Sequence, residues 1–174
     1  MEASSRTNKK IIILDRPNPN SFYIDGPVLE IENSSFIGLH PVPIVYGMTI
    51  GEYGKMINGE GWLENKTKAN LEVIRIKNYN HNLKYEPPVR PSPNLPNLQS
   101  IYLYPSLAFL EKTEVSVGRG TKIQFQIYGH PNFISDFSFT PMPNFGSQYP
   151  KLNGKLSFGE DLRNYKTKDR IELK

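Results

Sequence analysis

Apolar positions along the chain fall into short clusters separated by proline and glycine. The first is Ile11 to Leu14, four aliphatic residues with no polar alternation. A run of that kind predicts a strand covered on both faces, as in a parallel sheet. Asp15-Arg16-Pro17-Asn18-Pro19-Asn20 follows and ends it. These polar residues then stand just past the carboxyl end of a strand, the edge where open α/β sheets form ligand crevices. The same residues also suit a plain turn, with Asp15 and Asn18 bonding their own backbone.

A helix is predicted from about Ile50 to Asn58. Thr49 and Glu52 have the spacing of a capping box, in which the hydroxyl caps the first turn and the carboxylate reaches back. Tyr53, Met56 and Ile57 then share one face, and Gly59 and Gly61 are stop signals. Residues 71–77 (LEVIRIK) alternate apolar with charged and predict a strand, with a slip at Ile74. Prolines 87, 88, 91, 93 and 96 preclude regular structure and mark the best boundary. Residues 102–111 suit a short helix with Pro105 in its first turn. Residues 122–128 (KIQFQIY) alternate cleanly and read as a strand. Residues 170–174 could open a further element.

Composition adds constraints rather than a function. With 174 residues, ten tyrosines and nine phenylalanines, the chain can bury a core in one domain or two lobes. The absence of cysteine excludes disulfide frameworks, zinc fingers and thiol catalysis. The net charge of +4 is mild. In 151–174 the basic residues are interleaved with Glu160, Asp161, Asp169 and Glu172. That pattern describes a solvated face, not the one-sign stripe of a nucleic-acid binder. No membrane span is present, and MEASSRTNKK has no apolar core of a signal peptide.

Most catalytic chemistries find no motif. His40, His81 and His130 lack metal-ligand spacing, so loop roles are expected and no metal site is assigned. There is no nucleophile elbow or phosphate-binding loop. Carboxylates remain: Asp15, Glu52, Glu60, Glu111 and Glu114 sit beside turns or helix ends. Glycoside hydrolysis needs two carboxyl groups roughly 5–9.5 Å apart. Each acid taken singly also reads as a cap or a surface charge. In VGRGT (117–121) two glycines flank Arg119, which permits close backbone approach to a ligand.

Four ordered stretches carry a resemblance: ILDRPNP (13–19), YGMTIGE with NGE (46–52, 58–60), RPSPNLP (90–96), and LEKTEVSVGRGT with FQIYGHP (110–121, 125–131). In this order and spacing the chain resembles the exo-β-N-acetylmuramidase family. Lys112 and Ser21 stand where that family commonly has glycine. The resemblance implies an α/β fold, with part of a Rossmann-like subdomain (1–86) followed by a second, smaller α/β subdomain (87–174). It implies hydrolysis of non-reducing-end N-acetylmuramic acid from peptidoglycan fragments, no cofactor, and a periplasmic or extracellular location.

Family members are about twice as long, so the chain reads as an interior slice that lacks the segment bearing the family's proposed catalytic glutamate. No catalytic residue is therefore assigned within it. The expected role is to supply part of the cleft, or to persist as an inactive muropeptide-binding or structural fragment. A slice of a sheet also exposes an edge that a homodimer would cover. N-acetylmuramic acid carries a lactyl carboxylate, which a guanidinium binds bidentately. Arg119, or failing it Arg16, is the expected contact, unless Arg119 bonds loop carbonyls instead. Asn18, Asn94 and Glu114 are the next candidates for sugar hydroxyls.

Overall fold

The computed structural model describes residues 1–166. Two compact units divide the chain, Met1–Tyr85 and Glu86–Lys174. In the first, helix α1 (Glu2–Thr7) precedes β1 (Ile11–Leu14), β2 (Asp25–Val28) and β3 (Pro43–Val45). Helix α2 (Ile50–Gly59) and strand β4 (Leu71–Ile74) complete it. Strands β1 and β4 pair in parallel, Ile11 against Leu71 through Leu14 against Ile74, with α2 between them in sequence. Strands β2 and β3 form a separate antiparallel pair.

The expected capping box is present. Thr49 Oγ1 accepts from the Glu52 amide, and a Glu52 carboxylate oxygen accepts from the Thr49 amide. Helix α2 lies close on the strand pair because Gly51 and Gly54 recur one turn apart. A Cβ on Gly51 would stand 2.5 Å from Val73 Cγ1 and 2.7 Å from Asp15 Cγ. One on Gly54 would stand 2.7 Å from Ile13 Cδ1. This seating sorts the strand's faces. Ile11 and Ile13 are half-buried, whereas Ile12 and Leu14 are exposed, so β1 is covered on one face only and the two-faced expectation fails. The strand predicted over 71–77 stops at Ile74, where the alternation slipped.

In the second unit, α3 (Leu98–Leu107) is followed by a 3-10 turn, Ala108–Lys112. Strands β5 (Ile127–His130), β6 (Phe137–Phe139) and β7 (Ser157–Asp161) form an antiparallel sheet in the order β5-β7-β6. Leu103, Leu107, Val117 and Phe125 make the core. Opposed Gly129 and Gly159 let β5 and β7 approach closely, since a Cβ on Gly129 would meet Phe158 O at 2.5 Å.

Two sequence expectations shift here. The helix begins at Leu98, because Asn97 caps it with a reciprocal Ser100 bond, which puts Pro105 in its last turns instead of its first. The strand predicted over 122–128 begins only at Ile127. Phe125 adopts φ 52°, a left-handed conformation that turns the chain. All of Gln124, Phe125, Gln126 and Ile127 are buried, and Gln126 accepts from Asn97, so their alternation marks a tight turn, not a two-faced strand. Residues 170–174 lie outside the described residues.

Gly51→Ala should destabilise the fold by about 1–3 kcal/mol, the usual cost of overpacking. Chemical denaturation of the variant would measure this. A midpoint equal to wild type would mean α2 does not depend on the close seating.

Candidate functional site

The polar groups of the first unit converge where β1 ends and α2 begins. Asp15, the first residue past β1, accepts at Oδ2 from the Thr49 hydroxyl (2.8 Å). Its Oδ1 accepts from the amides of Gly51 (2.8 Å) and Arg16 (3.0 Å). A carboxylate at a helix N-terminus satisfies unpaired amides and complements the helix dipole. Asp15 is thus held as a capping group.

Glu52 has a second partner besides Thr49. His81, on the loop after β4, brings Nε2 to 3.0 Å from the Glu52 carboxylate, with both side chains more than two-fifths exposed. Burial raises the Glu52 pKa, but the bonds from the Thr49 amide and His81 outweigh it and hold the carboxyl below its ordinary range. His81 also forms part of the wall of an open cavity of about 360 Å³ with Ser21, Phe22, Tyr23, Tyr46 and Met48. Ser21 Oγ lies 2.6 Å from the Tyr79 hydroxyl and 3.3 Å from the His81 carbonyl. A paired imidazole and carboxylate at an open, aromatic-walled cavity can bind a polar ligand or move a proton.

His40 sits apart from this cluster. Its Nδ1 lies 2.8 Å from the Tyr53 hydroxyl and its ring stacks on Trp62. Burial pushes its pKa down, partly offset by Glu2.

The candidate residues chosen from sequence have different local surroundings within their own units. Asn18 is committed to the turn: Nδ2 donates to Met48 O (2.9 Å) and Oδ1 accepts from the Asn20 amide (2.9 Å). Arg16 is exposed, and its amide bonds Asp15. Asn94 is buried and donates to Gly146 O (2.7 Å), which fixes the 144–147 turn. Glu114 is almost fully exposed, 4.0 Å from His130 Nε2. It borders an open cavity of about 640 Å³ together with His130, Asn132, Lys151 and Lys155.

Arg119 Nε donates to Glu111 (2.7 Å), and the guanidinium lies 5.1 Å from the Phe125 ring centroid. Its two Nη groups find no partner among the described residues. The flanking glycines do not clear a path for a ligand, contrary to the sequence expectation. A Cβ on Gly118 would meet Ile127 Cγ1 at 2.6 Å, and one on Gly120 would meet Met142 O and Pro150 at 2.7 Å. The space above both belongs to the protein's own chain. Both glycines also hold positive φ, 79° and 82°.

Lys151 shapes the loop that carries Glu111 and Glu114. Its ammonium donates to the carbonyls of Leu110, Glu111 (3.0 Å), Thr113 and Val115 (3.2 Å). Neither this cage nor the Glu52–His81 pair was visible in sequence, because the partners lie tens of residues apart. The described residues contain no group of three or more His, Cys, Asp or Glu able to hold a metal ion. They contain no helix long and apolar enough to cross a membrane.

These features define an α/β protein with a carboxylate–imidazole pair at the end of a parallel strand unit. Two family models match it in sequence: "Exo-beta-N-acetylmuramidase NamZ, N-terminal" over residues 1–99 and "Exo-beta-N-acetylmuramidase NamZ, C-terminal" over residues 102–173. The chain belongs to this exo-β-N-acetylmuramidase family. It is 39% identical over 136 residues to the peptidoglycan beta-N-acetylmuramidase NamZ of Bacillus subtilis (strain 168). That alignment covers 75% of this chain and 32% of the relative.

Two crystal structures of DUF1343 family proteins from Bacteroides fragilis NCTC 9343 share the fold. One has a TM-score of 0.93 and 48% identity over 95% of this chain and 47% of its own. The other has a TM-score of 0.81 and 27% identity over 92% of this chain and 46% of its own. The chain therefore spans about a third of the curated relative and just under half of each solved structure.

Thr49→Ala should cost about 1–2 kcal/mol by removing the cap and the Asp15 bond, measured by thermal or urea unfolding. Glu52→Gln tests the electrostatic part. A carboxyl with a depressed folded-state pKa contributes stability above the ordinary carboxylate value. That contribution disappears as pH falls through the folded value. The stability gap between wild type and Glu52→Gln should therefore be present at pH 7 and close below about pH 4. A gap constant with pH would show that the charge is irrelevant.

Proposed function

We propose that the chain forms part of the substrate cleft of a glycoside hydrolase that releases non-reducing-end N-acetylmuramic acid from peptidoglycan fragments. The observation that carries this reading is the exposed Glu52–His81 pair at an aromatic-walled cavity, in a chain matched by both domain models of a muramidase family. The parallel β1–α2–β4 unit is also what a Rossmann-like subdomain would be built from. A peptidoglycan substrate is in keeping with a site of action in the periplasm or outside the cell. Arg119 serves the lactyl carboxylate through its unpaired Nη edge, with Nε held by Glu111. Within the first unit, His81, oriented by Glu52, can exchange a proton with a ligand in its own cavity or with a water.

A second reading is a catalytically inactive muropeptide-binding or structural fragment. It is favoured by the chain's spanning only 32% of the curated relative.

A fluorogenic N-acetylmuramic acid glycoside separates the two. In an enzyme of the relatives' length that carries this chain, the first reading expects release of the fluorophore, with His81→Gln lowering kcat about 100-fold, within the usual range for acid–base groups. It expects Arg119→Lys to raise KM with kcat nearly unchanged. Binding of the glycoside without turnover would establish the second reading instead. An Arg119→Lys variant with unaltered KM would remove Arg119 from the carboxylate site.

A further inference from the structure

The loop between the 3-10 turn and VGRGT directs its carbonyls at one side chain. The Lys151 ammonium donates to those of Glu111 (3.0 Å), Val115 (3.2 Å) and Thr113, with that of Leu110 at 3.5 Å. Leu110 O also takes the Thr113 amide and hydroxyl. The carbonyls of Glu111, Thr113 and Val115 have no second donor among the described residues. Lys151 in turn forms no ion pair there. Its charge is met by carbonyl dipoles alone.

An ammonium has three protons, and four carbonyl oxygens surround this one. More acceptors than protons suits a spherical cation better than a set of directed hydrogen bonds. Rings of backbone carbonyls are what replaces the hydration shell of potassium in selective pores.

Lys151 is also fixed at its root. Pro150 precedes it, is buried, and lies against Gly120, where an added Cβ would meet the proline at 2.7 Å. Arg119 is the neighbour of that glycine, and its Nε donates to Glu111 (2.7 Å). Glu111 is therefore held twice, by its carbonyl on Lys151 and by its carboxylate on Arg119. Through Pro150 the root of Lys151 abuts the VGRGT turn, and its tip gathers the loop that carries Glu111. One residue thus sets the separation of the two partners in the ion pair.

We propose that Lys151 is a tethered cation in a backbone monovalent-cation site, and that through Glu111 it is the positioning residue for Arg119. With the ammonium removed, the same carbonyls take up potassium, whose size is close to that of ammonium. Glu111 then regains its place, and Arg119 with it. The proposal concerns the direction of the guanidinium and does not rest on the muramidase reading.

Two measurements on the full chain test it. In the wild type, NMR of the lysine ammonium groups should show Lys151 Nζ protons that exchange slowly and couple across hydrogen bonds to the carbonyl carbons of Glu111 or Val115. Lys155, exposed and at the end of the same turn, is the internal reference. Lys151 protons that exchange as fast as those of Lys155 would overturn the cage.

The second measurement is Lys151→Met at constant ionic strength in choline, lithium, sodium or potassium chloride. In choline the Arg119 Nε proton should exchange at least about tenfold faster than in the wild type, as a loosened contact allows. Potassium should restore its protection and raise the melting temperature, with lithium the weakest, while the wild type responds alike to all four. Lys151→Arg should not match potassium, because a planar guanidinium cannot point at all the carbonyls at once. Arg119 protection that is unchanged in choline would remove Lys151 as its positioning residue. Equal effects of the four salts on Lys151→Met would reduce the site to ionic screening. A variant that folds only in potassium establishes the cage by that dependence. For a variant that folds in none of the salts, the wild-type ammonium spectrum decides.

Discussion

The N-terminal unit depends on a single carboxylate. Asp15 stands where β1 ends and takes up the Thr49 hydroxyl and the Gly51 amide at the start of α2. It joins strand to helix with two accepted hydrogen bonds and a charge at the positive end of the helix dipole. The close seating of Gly51 against the Asp15 carboxyl and Val73 belongs to the same joint. Glu52 and His81 then acquire a fixed geometry, because Glu52 is itself part of the capping box that Asp15 steadies through Thr49. Structure and candidate chemistry share these residues, so capping and function are not alternatives for Glu52.

The C-terminal unit uses different means. Here the loops are set by side chains that saturate backbone carbonyls: Lys151 gathers those of residues 110–115, and Asn94 and Asn144 pin the 144–147 turn. Arg119 is stacked on Phe125 and tied to Glu111, so its guanidinium presents only its Nη groups. Rigid loops of this kind suit recognition of polar ligands, where ordering costs would otherwise oppose binding.

What could be read in the sequence was what local spacing encodes. The Thr49–Glu52 box and the strand from Ile11 to Leu14 needed only neighbours within one turn or one strand. The family was legible because four motifs keep their order along the chain. The KIQFQIY alternation misled because Phe125 takes a left-handed conformation and the Gln126 amide oxygen is claimed by Asn97. The glycines around Arg119 looked like room for a ligand, but the space is filled by Ile127, Met142 and Pro150. His81 gave no signal, since its partner Glu52 lies 29 positions away.

The parallel pairing of β1 with β4 also has a kinetic side. Ile11 meets Leu71 only after the intervening chain has closed a long loop. Loop-closure entropy rises with the logarithm of length, and such contacts slow folding. The Asp15–Thr49 bond spans 34 positions and divides that search into two shorter ones. Seated against β1, the capped helix provides a surface that β4 also packs on. The residue that orders the native site thus also closes the shorter of the two loops within the unit.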